Sequence, residues 1–481
     1  MQIKRRTLVG IILVTILSTS VLTLASLKFA VQTFGVQVPF LQSANVGNLG
    51  ADFKKIAEAL SIIEKDALEK VDRVKLIDGA IEGMIKQLDD PYSTYLNPKA
   101  AGDFHSSLQS SFQGIGAEVT LKNGKVTIVS PFKGSPAEKA GLRPEDQIIS
   151  VDGKSVEGLS LTDAVSKIRG PKGSKVILEI TRAGLNTPMN ITVVRDEIPI
   201  ITVYSSVIDQ GGKKIGKIEI TQFSTETAND FKKQLAELEG KGIQGLIVDV
   251  RGNPGGLLNS VINIANDLVP KGGTIVKIEY SDGKKESFAS ENRNGKYPIV
   301  VLADKGSASA AEILAAAMKE NGSKVIGTST FGKGTVQNTQ NLSDQSQLKL
   351  TIAKWLTPDG NWIHKKGLAP SITVEQPSYF KAVSLPANKT LQKEMNGTEV
   401  QNLQLILNGL GYNPGRTDGY FDTGTETAVK NFQGKMKLEQ TGKVEGKTAE
   451  LLQTELLNKM KDPKNDAQLQ KAIEVMVDLV K

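Results

Sequence analysis

Two almost unbroken apolar runs near the middle of the chain place the strongest constraint on its fold. They are GLIVDV (245–250) and YPIVVLAD (297–304), and strands of this composition are typical of a parallel sheet that is buried on both faces. Each run leads into a glycine-bearing loop and then into a helical pattern. A further strand pattern, SKVIGTS (323–329), follows the second helix. This alternation predicts a βαβ core over residues 200–375, with ligands bound beyond the carboxyl ends of the strands, where both loops lie.

Shorter strand patterns fill residues 112–182. KVTIVSPF and KVILEITR alternate like half-buried strands. SPAEKAGL is predicted to be a short helix that begins at Ser135, and LTDAVSKIRG a helix that ends at Gly170. The result is a compact β-rich module with two helices. Helical periodicity also marks residues 52–90 and the chain after Pro377, so the 481 residues divide into several domains.

The N-terminus predicts a membrane anchor. An uncharged, mostly apolar stretch runs from Thr7 to Ser26, and about twenty such residues span a bilayer as a helix. Lys4, Arg5 and Arg6 place the N-terminus in the cytoplasm and the rest of the chain outside. A cleaved signal peptide, giving a secreted form, is the alternative. LASLKFA is a poor cleavage site, which favours an uncleaved anchor.

Composition excludes several classes of chemistry. Cysteine is absent, so disulfides, thiol catalysis and thiolate metal sites are ruled out. The two histidines, His105 and His364, are far apart in sequence, and we expect neither a metal nor a cofactor. The formal charge of +7 is spread along the chain without an arginine-rich run. We therefore expect no nucleic-acid partner.

The segment DKGSASAAEILAAAM (304–318) contains a candidate nucleophile. Ser309 begins the capping-box pattern SAAE, so it is expected at the least to cap a helix, with Glu312 reciprocating. A serine at a helix N-terminus among small residues also has room for an incoming carbonyl, and the helix N–H groups favour a developing oxyanion there. The pattern does not separate Ser307 from Ser309.

A serine nucleophile needs a base. His364 is interpreted as a loop histidine, and His105 lies in a polar segment before the β-rich module. The remaining candidate is Lys333, between two glycines in TFGKGTVQ. It would have to be buried, with its pKa lowered towards neutrality; the alternative is an exposed lysine in a turn. Gln337 could hold the amine by a hydrogen bond, or be a surface amide.

Two glycine loops have both a catalytic and a plain structural interpretation. DVRGNPGG (249–256) could point backbone N–H groups into a cleft, or form a tight turn. Asp249 and Arg251 are predicted to be a structural pair. SFQGIGAEV (111–119) could capture the terminal carboxylate of a peptide that adds to a sheet edge. The residues expected to contact such a peptide are Gln113, Gly114, Ile115, Gly116 and Ala117.

Together these motifs resemble the carboxyl-terminal processing proteases, which join a PDZ domain to a tail-specific serine protease core. The similarity covers roughly residues 50–376, through GMIKQLDDPYSTYL, FQGIGAEV, SPAEKAGL, VDVRGNPGG, GSASAAEILAAAM and TFGKGTVQ. It implies that Ser309 is the nucleophile, Lys333 the general base and Gln337 the residue that positions it. We further expect oxyanion donors from Gly255 or Gly256 and from Ala310. Arg169, in KIRGPKG, could link peptide occupancy of the PDZ domain to the core by pairing with a carboxylate.

The sequence departs from the family pattern at two points. Ala311 stands where the family often has a third serine. The interval from Ser309 to Lys333 is one residue shorter than in some members, within KENGSKV. Neither change is expected to disable the site, although the second could shift Lys333 slightly.

The C-terminal region, residues 397–455, is similar to a helical peptidoglycan-binding domain, through VQNLQLILNGLGY, TDGYFDTGTETAVKNFQ and TGKVEGKTAELL. Such domains belong to wall-associated proteins, so peptidoglycan is a candidate partner. The domain could instead serve only for packing. The apolar faces of the terminal helices also suggest a homodimer.

The predicted fold is therefore a multidomain α/β chain with a crotonase- or ClpP-like βαβ protease core. Its expected parts are a cytoplasmic stub and anchor (1–30), an N-terminal helical segment (45–100), a PDZ domain (105–195), the core (196–380), a peptidoglycan-binding-like domain (390–456) and a C-terminal helix (457–481).

The predicted function is that of a membrane-anchored, extracytoplasmic serine endopeptidase that binds substrate C-termini through its PDZ domain and uses a Ser-Lys dyad. A catalytically silent scaffold that binds peptides and cell wall is the main alternative. A crotonase-like enzyme acting on acyl thioesters is a third, which export and the PDZ-like insert argue against.

Overall fold

The computed structural model describes residues 49–182, 187–291, 296–386 and 389–480. The expected anchor (1–30) lies outside these ranges, and within them no helix is long and apolar enough to cross a bilayer. The chain divides into two compact units, residues 1–87 and 88–481.

The described part of the first unit is a pair of helices, α1 (Leu49–Asp66) and α2 (Arg73–Lys86). The carboxylate of Asp72 caps α2 by accepting from the N–H groups of Val74 and Lys75. Several apolar side chains of the pair are exposed, namely Phe53, Ile56, Ile62, Ile63, Val74, Ile77 and Met84.

The second unit opens with a turn at 90–93, strand β1 (Thr94–Leu96) and helix α3 (Pro98–Leu108). The β-rich module follows. Its elements are β2 (Ser111–Gly114), β3 (Ala117–Lys122), β4 (Lys125–Pro131), α4 (Pro136–Lys139), β5 (Gln147–Val151), β6 (Lys154–Ser155), α5 (Leu161–Ile168), β7 (Lys175–Thr181), β8 (Met189–Val194) and β9 (Asp196–Pro199).

The module is built around one antiparallel sheet of order β3-β4-β5-β7-β8, with β6 beside β5, while β2 and β9 pair separately. The predicted inward face of β7 is confirmed, because its alternate side chains Val176, Leu178 and Ile180 are fully buried. Strand β3 is an edge of the sheet, so one side of its backbone is available for a further strand.

The core has its own elements, the strands β10 (Val203–Gln210), β11 (Lys213–Ile220), β12 (Gly245–Asp249), β13 (Thr274–Tyr280), β14 (Lys285–Ala289), β15 (Ile299–Ala303), β16 (Lys324–Gly327), β17 (Thr335–Asn341), β18 (Gln347–Leu356) and β19 (Ile372–Thr373), and the helices α6 (Thr227–Gly240), α7 (Leu258–Leu268) and α8 (Ala310–Glu320).

A six-stranded sheet of order β10-β11-β12-β15-β16-β19 forms the centre of the core, and its strands from β11 onward run parallel. Every residue of β12 and β15 is buried, as the two apolar runs predict. These neighbouring strands end at Asp249 and Ala303. RGNPGG (251–256), called the glycine loop below, and DKGSAS (304–309), the serine loop, therefore leave the same edge of the sheet.

A second, antiparallel sheet of order β1-β18-β13-β14, with β17 also paired to β18, lies in the same unit. Strands β1 and β13 pair with opposite ends of β18. Between those ends the N–H of Thr351 donates to the Ser93 hydroxyl at 3.0 Å. The turn at 90–93 is thereby attached to the middle of β18.

The chain then forms a helical domain of α9 (Thr398–Gly409), α10 (Thr423–Lys435) and α11 (Gly446–Lys461), after a 3₁₀ turn at Ser378–Lys381. It has a separate apolar core, which includes Leu403, Leu407, Phe421, Phe432 and Leu452. This apolar core is separate from those of the β-rich module and of the central sheet.

The last helix, α12 (Ala467–Leu479), packs on the central sheet. Leu469, Ala472, Ile473 and Met476 are buried against side chains of β11, β12, β15 and β16. The suggestion that this apolar face serves dimerisation is therefore wrong, because the sheet already covers it.

Arg251 joins α12 to the glycine loop. Its guanidinium pairs with both oxygens of Asp249 at 2.7–2.8 Å and with both oxygens of Asp466 at 2.8 Å. Lys217 adds a contact to Asp249 at 3.3 Å. The predicted structural pair of Asp249 and Arg251 is present, and Asp466 extends it to the C-terminal helix.

Candidate active site

Ser309 lies at a strained turn between β15 and α8. Its φ of 53° and ψ of −113° fall where a residue with a Cβ is rarely found, and such strain clusters at functional sites. The capping box predicted for Ser309 and Glu312 is present, and the Ser309 N–H donates to Glu312 Oε2 at 2.8 Å. The Ser309 side chain is also part-exposed, so its hydroxyl is accessible to a substrate.

Ser307 has a different environment. Its side chain is fully buried, its hydroxyl donates to the carbonyl of Val250 at 2.8 Å, and it accepts from the N–H of Asp304 at 2.9 Å. These bonds tie the serine loop to the end of β12. The hydroxyl of Ser307 is thus used in structural hydrogen bonds, whereas Ser309 is part-exposed. Ser309 is therefore the better candidate for the nucleophile.

The carboxylate of Glu312 holds together the serine loop and the loop that carries Lys333, TFGKG (330–334), called the lysine loop below. It is fully buried and accepts four hydrogen bonds. Oε2 receives the N–H groups of Ser309 and Lys333, each at 2.8 Å, and Oε1 receives the Thr330 hydroxyl and the Gly332 N–H at 2.5 and 2.7 Å. One side chain therefore fixes the backbone of both candidate catalytic residues.

The amine of Lys333 lies in a partly buried, aromatic environment, with Nζ 4.9 Å from the ring centroid of Tyr92. Burial and the like charge of Lys349 lower the pKa of Lys333, while Asp90 and Glu312 oppose the shift. A lowered pKa increases the fraction of unprotonated amine, as a base requires. The alternative of a lysine in an exposed turn is wrong.

Two tryptophans and a histidine fix the loop that carries Lys333. Trp355 Nε1 donates to the carbonyl of Lys333 and Trp362 Nε1 to that of Gly334, both at 2.7 Å. His364 stacks on Trp362 with ring centroids 5.0 Å apart, and its Nδ1 accepts from the Gly334 N–H at 3.3 Å. Burial, then the charge of Lys365, lowers the pKa of His364, which favours this neutral, accepting form.

Gln337 points its amide nitrogen at two threonines. Nε2 donates to Thr335 Oγ1 at 2.9 Å and to Thr351 Oγ1 at 3.2 Å. In the described part of the chain no hydrogen bond joins Lys333 Nζ to Gln337 or Ser309, a common state of sites without substrate. His105 lies apart from this group, with Nε2 2.7 Å from Gln347 Nε2.

The glycine loop lies against Ser309. A Cβ added to Gly255, whose φ is 100°, would be 2.9 Å from Ser309 Cβ and 3.0 Å from the Ala310 nitrogen. The Gly255 N–H donates to Asn253 Oδ1 at 2.8 Å, so it is already engaged. The N–H groups of Gly256 and Ala310 have no acceptor within the described ranges, and they become the better pair of candidate oxyanion donors.

The expected peptide-binding segment is divided between strand and loop. Gln113 and Gly114 pair with β9, so the loop itself is shorter than predicted and consists of Ile115 and Gly116. Their carbonyls accept from Ala137 and Phe132, whereas their N–H groups donate to nothing that the structure describes. A Cβ at Gly116 (φ 73°) would come within 2.6 Å of Ser135 Cβ, so this close turn requires glycine.

Comparison with known proteins assigns a family to these parts. Four family models match the chain: the activating protease CtpB N-terminal domain (25–100), a PDZ domain (127–182), peptidase family S41 (214–374) and a peptidoglycan binding domain (396–452).

Two curated relatives cover most of the chain. The carboxy-terminal processing protease CtpB of Bacillus subtilis (strain 168) is 49% identical over 421 residues, or 87% of this chain and 88% of that protein. CtpA of the same organism is 47% identical over 437 residues, or 90% and 92% of the two chains. The chain belongs to the carboxy-terminal processing proteases.

The family assignment agrees with the expectation from the motifs. The peptidase match contains the glycine loop, the serine loop and the lysine loop. The PDZ match contains both helices of the β-rich module, α4 and α5, the whole of β5, β6 and β7, and most of β4. The protease is accordingly a serine endopeptidase, and its catalytic part is the core that holds Ser309 and Lys333.

Arg169 of the protease has no carboxylate partner within the described ranges. Its guanidinium carbon lies 4.8 Å from the ring centroid of Phe112, and its side chain packs near Gly114. It therefore contacts β2, which pairs with the strand that leads into the core. The proposed pairing with a carboxylate stays a prediction.

Sequence reasoning missed several residues around the protease site. The sequence gives no individual role to Asp90 or Tyr92, in the DDPYSTY motif, and predicts Glu312 only as half of a capping box. It predicts His364 only as a loop residue, without a link to Lys333. The one available signal was the capping-box spacing of Glu312, because the other contacts join distant parts of the chain.

Proposed function

We propose that the protease is anchored in the cell membrane, acts outside the cytoplasm, and cleaves proteins that its PDZ domain holds by their C-termini. The single observation that supports a Ser-Lys mechanism best is the buried Glu312 carboxylate, which binds the backbone of Ser309 and Lys333 at once. The N-terminal apolar stretch supports the anchor and the location.

In this proposal the unprotonated Lys333 amine removes the proton of Ser309 Oγ as the oxygen attacks the scissile carbonyl carbon. The backbone N–H groups of Gly256 and Ala310 stabilise the oxyanion. The carbon–nitrogen bond then breaks, and the Lys333 ammonium returns its proton to the leaving amine. Water attacks the acyl-enzyme with Lys333 again as base, which frees Ser309. Gln337 positions the amine.

Peptide recognition is proposed at the open edge of β3. The terminal carboxylate would accept from the N–H groups of Ile115 and Gly116, and the peptide would extend along β3 as an added strand. Arg169, at the end of α5, is proposed to respond to occupancy. Peptidoglycan of the cell wall is proposed as a partner of residues 396–452. The exposed apolar faces of α1 and α2 are proposed as a homodimer contact.

A pH profile tests the base. Because only the neutral amine accepts a proton, we expect kcat to fall as pH drops through the pKa of Lys333. Since burial lowers that pKa, the acid limb should lie below the ordinary range of a lysine side chain. The measurement is single-turnover cleavage of a denatured substrate by the ectodomain across pH. An acid limb at the pKa of an ordinary lysine would contradict the proposal.

Blocking the substrate's terminal carboxylate tests recognition. Hydrogen bonds from backbone N–H groups to a charged acceptor contribute about 1.5–3 kcal/mol, so a C-terminal amide should lower kcat/KM by about tenfold or more. The control is the same peptide acetylated at its N-terminus, which should be cleaved as the parent is. Equal rates for amide and acid would argue against capture of the carboxylate.

A further inference from the structure

A hydrogen-bonded chain connects Gln337 to a carboxylate that the mechanism above does not use. Gln337 Nε2 donates to Thr351 Oγ1 at 3.2 Å. The N–H of Thr351 donates to Ser93 Oγ at 3.0 Å, and that hydroxyl donates to Asp90 Oδ2 at 2.6 Å. Asp90 lies at the start of the turn (90–93) that contacts β18 between the segments paired with β1 and β13. Although Asp90 is far from Gln337 in sequence, only Ser93 and Thr351 lie between them in the hydrogen-bonded chain.

Asp90 acts as an acceptor in this chain. Oδ1 accepts from the N–H of Tyr92 at 3.1 Å, and Oδ2 accepts from the Ser93 hydroxyl at 2.6 Å. Burial alone would raise the pKa of Asp90, but these hydrogen bonds outweigh it and hold the pKa below its usual value. Asp90 is thus ionised at neutral pH and cannot donate to the Ser93 hydroxyl.

Ser93 connects this carboxylate to Thr351. The Ser93 hydroxyl gives its one proton to Asp90, so its oxygen accepts from the Thr351 N–H. This bond fixes the backbone of the residue whose hydroxyl oxygen accepts from Gln337, which presents its NH₂ group to Thr351 and Thr335. The carbonyl oxygen of Gln337, Oε1, is left on the other side of the amide, where it can act as an acceptor.

We propose that Asp90 is a positioning residue which, through Thr351, fixes the amide of Gln337 so that Oε1 faces the Lys333 amine as a hydrogen-bond acceptor. An amine held by an acceptor keeps its lone pair directed away from that acceptor, towards the serine proton. This inference rests on the proposed function, in which Gln337 positions the base. It adds that Asp90 determines the orientation of the Gln337 amide.

The test is a double-mutant cycle in the full protease. Asp90→Asn should lower kcat by about tenfold, a fraction of what a general base supplies, with KM unchanged. Because the charge of Asp90 also acts on the pKa of Lys333, kcat is compared for all variants at a pH above their acid limbs. In a Gln337→Ala background, where no amide remains to be oriented, the same substitution should then change kcat less than twofold. Asp89→Asn, an identical change at the exposed neighbouring residue, is the control and should leave kcat unaltered.

A second pair of variants covers the case in which Asp90→Asn fails to fold. Thr351→Val removes the hydroxyl at nearly constant volume and should lower kcat as Asp90→Asn does, whereas Thr351→Ser should restore it. Equal losses from Asp90→Asn in both backgrounds, or equal activity of the valine and serine variants, would overturn the inference while leaving the Ser-Lys mechanism standing. A wild-type protease that cleaves nothing would remove both.

Discussion

Replacing Ser309 by alanine is expected to lower kcat/KM for protein cleavage by at least about a thousandfold, and Lys333→Met by a similar factor, because nucleophile and base act as one unit. The fold should survive both changes. The Ser309 N–H, which the substitution keeps, donates to Glu312, and the side chains of Ser309 and Lys333 are both only partly buried. The measurement is cleavage of an unfolded substrate under first-order conditions, with a thermal melt of each variant.

Two conservative changes nearby serve as controls for this prediction. Ser329→Ala and Lys366→Met alter exposed residues of the neighbouring loops and should retain wild-type rates. The double variant of Ser309 and Lys333 should be no slower than either single variant. A Ser309→Ala protein that keeps a tenth or more of the activity would exclude Ser309 as the nucleophile.

Glu312→Gln is expected to be the most damaging single-atom exchange in the site. Each Glu312 oxygen accepts from two donors. Whichever oxygen becomes NH₂, two buried donors lose their acceptor. Since an unsatisfied buried donor costs about 1–3 kcal/mol, unfolding free energy should fall by about 3 kcal/mol. Cleavage should fall with it, because Ser309 and Lys333 lose their common anchor.

Urea denaturation, together with cleavage measured at a temperature where the variant is folded, tests this expectation. Glu237→Gln on α6, an exposed glutamate, is the matched control and should change neither quantity. A Glu312→Gln protein of wild-type stability would show that the four donors find other partners, and that the carboxylate does not organise the site.

Local sequence patterns predicted the scaffold of the site well. The burial of β12 and β15 follows from their apolar composition, and the places of the glycine and serine loops follow from the parallel connection between those strands. The glycines on both sides of Lys333 indicated a close-packed loop. A Cβ atom added to Gly332 or to Gly334 would indeed clash with the segment that carries His364.

What the sequence could not predict is the set of contacts between distant segments. Thr351 meets Ser93, and Lys333 meets Tyr92, only because β18 takes β17 on one side and β1 with β13 on the other. That arrangement depends on strand register, which no local pattern specifies. The sequence likewise could not show which of Ser307 and Ser309 is free to act as the nucleophile. That distinction depends on the hydrogen bond from Ser307 to the carbonyl of Val250, which belongs to a different loop.

The position of α12 has a consequence for how the protein is made. The helix covers one face of the catalytic sheet, yet it follows the whole helical domain in the chain. During vectorial synthesis the apolar face formed by Ile215, Ile247, Val300, Leu302 and Ile326 has no cover until residues 467–480 have left the ribosome. The catalytic sheet is thereby completed only after the whole helical domain has been made, and chains that stop before residue 467 keep this apolar face exposed.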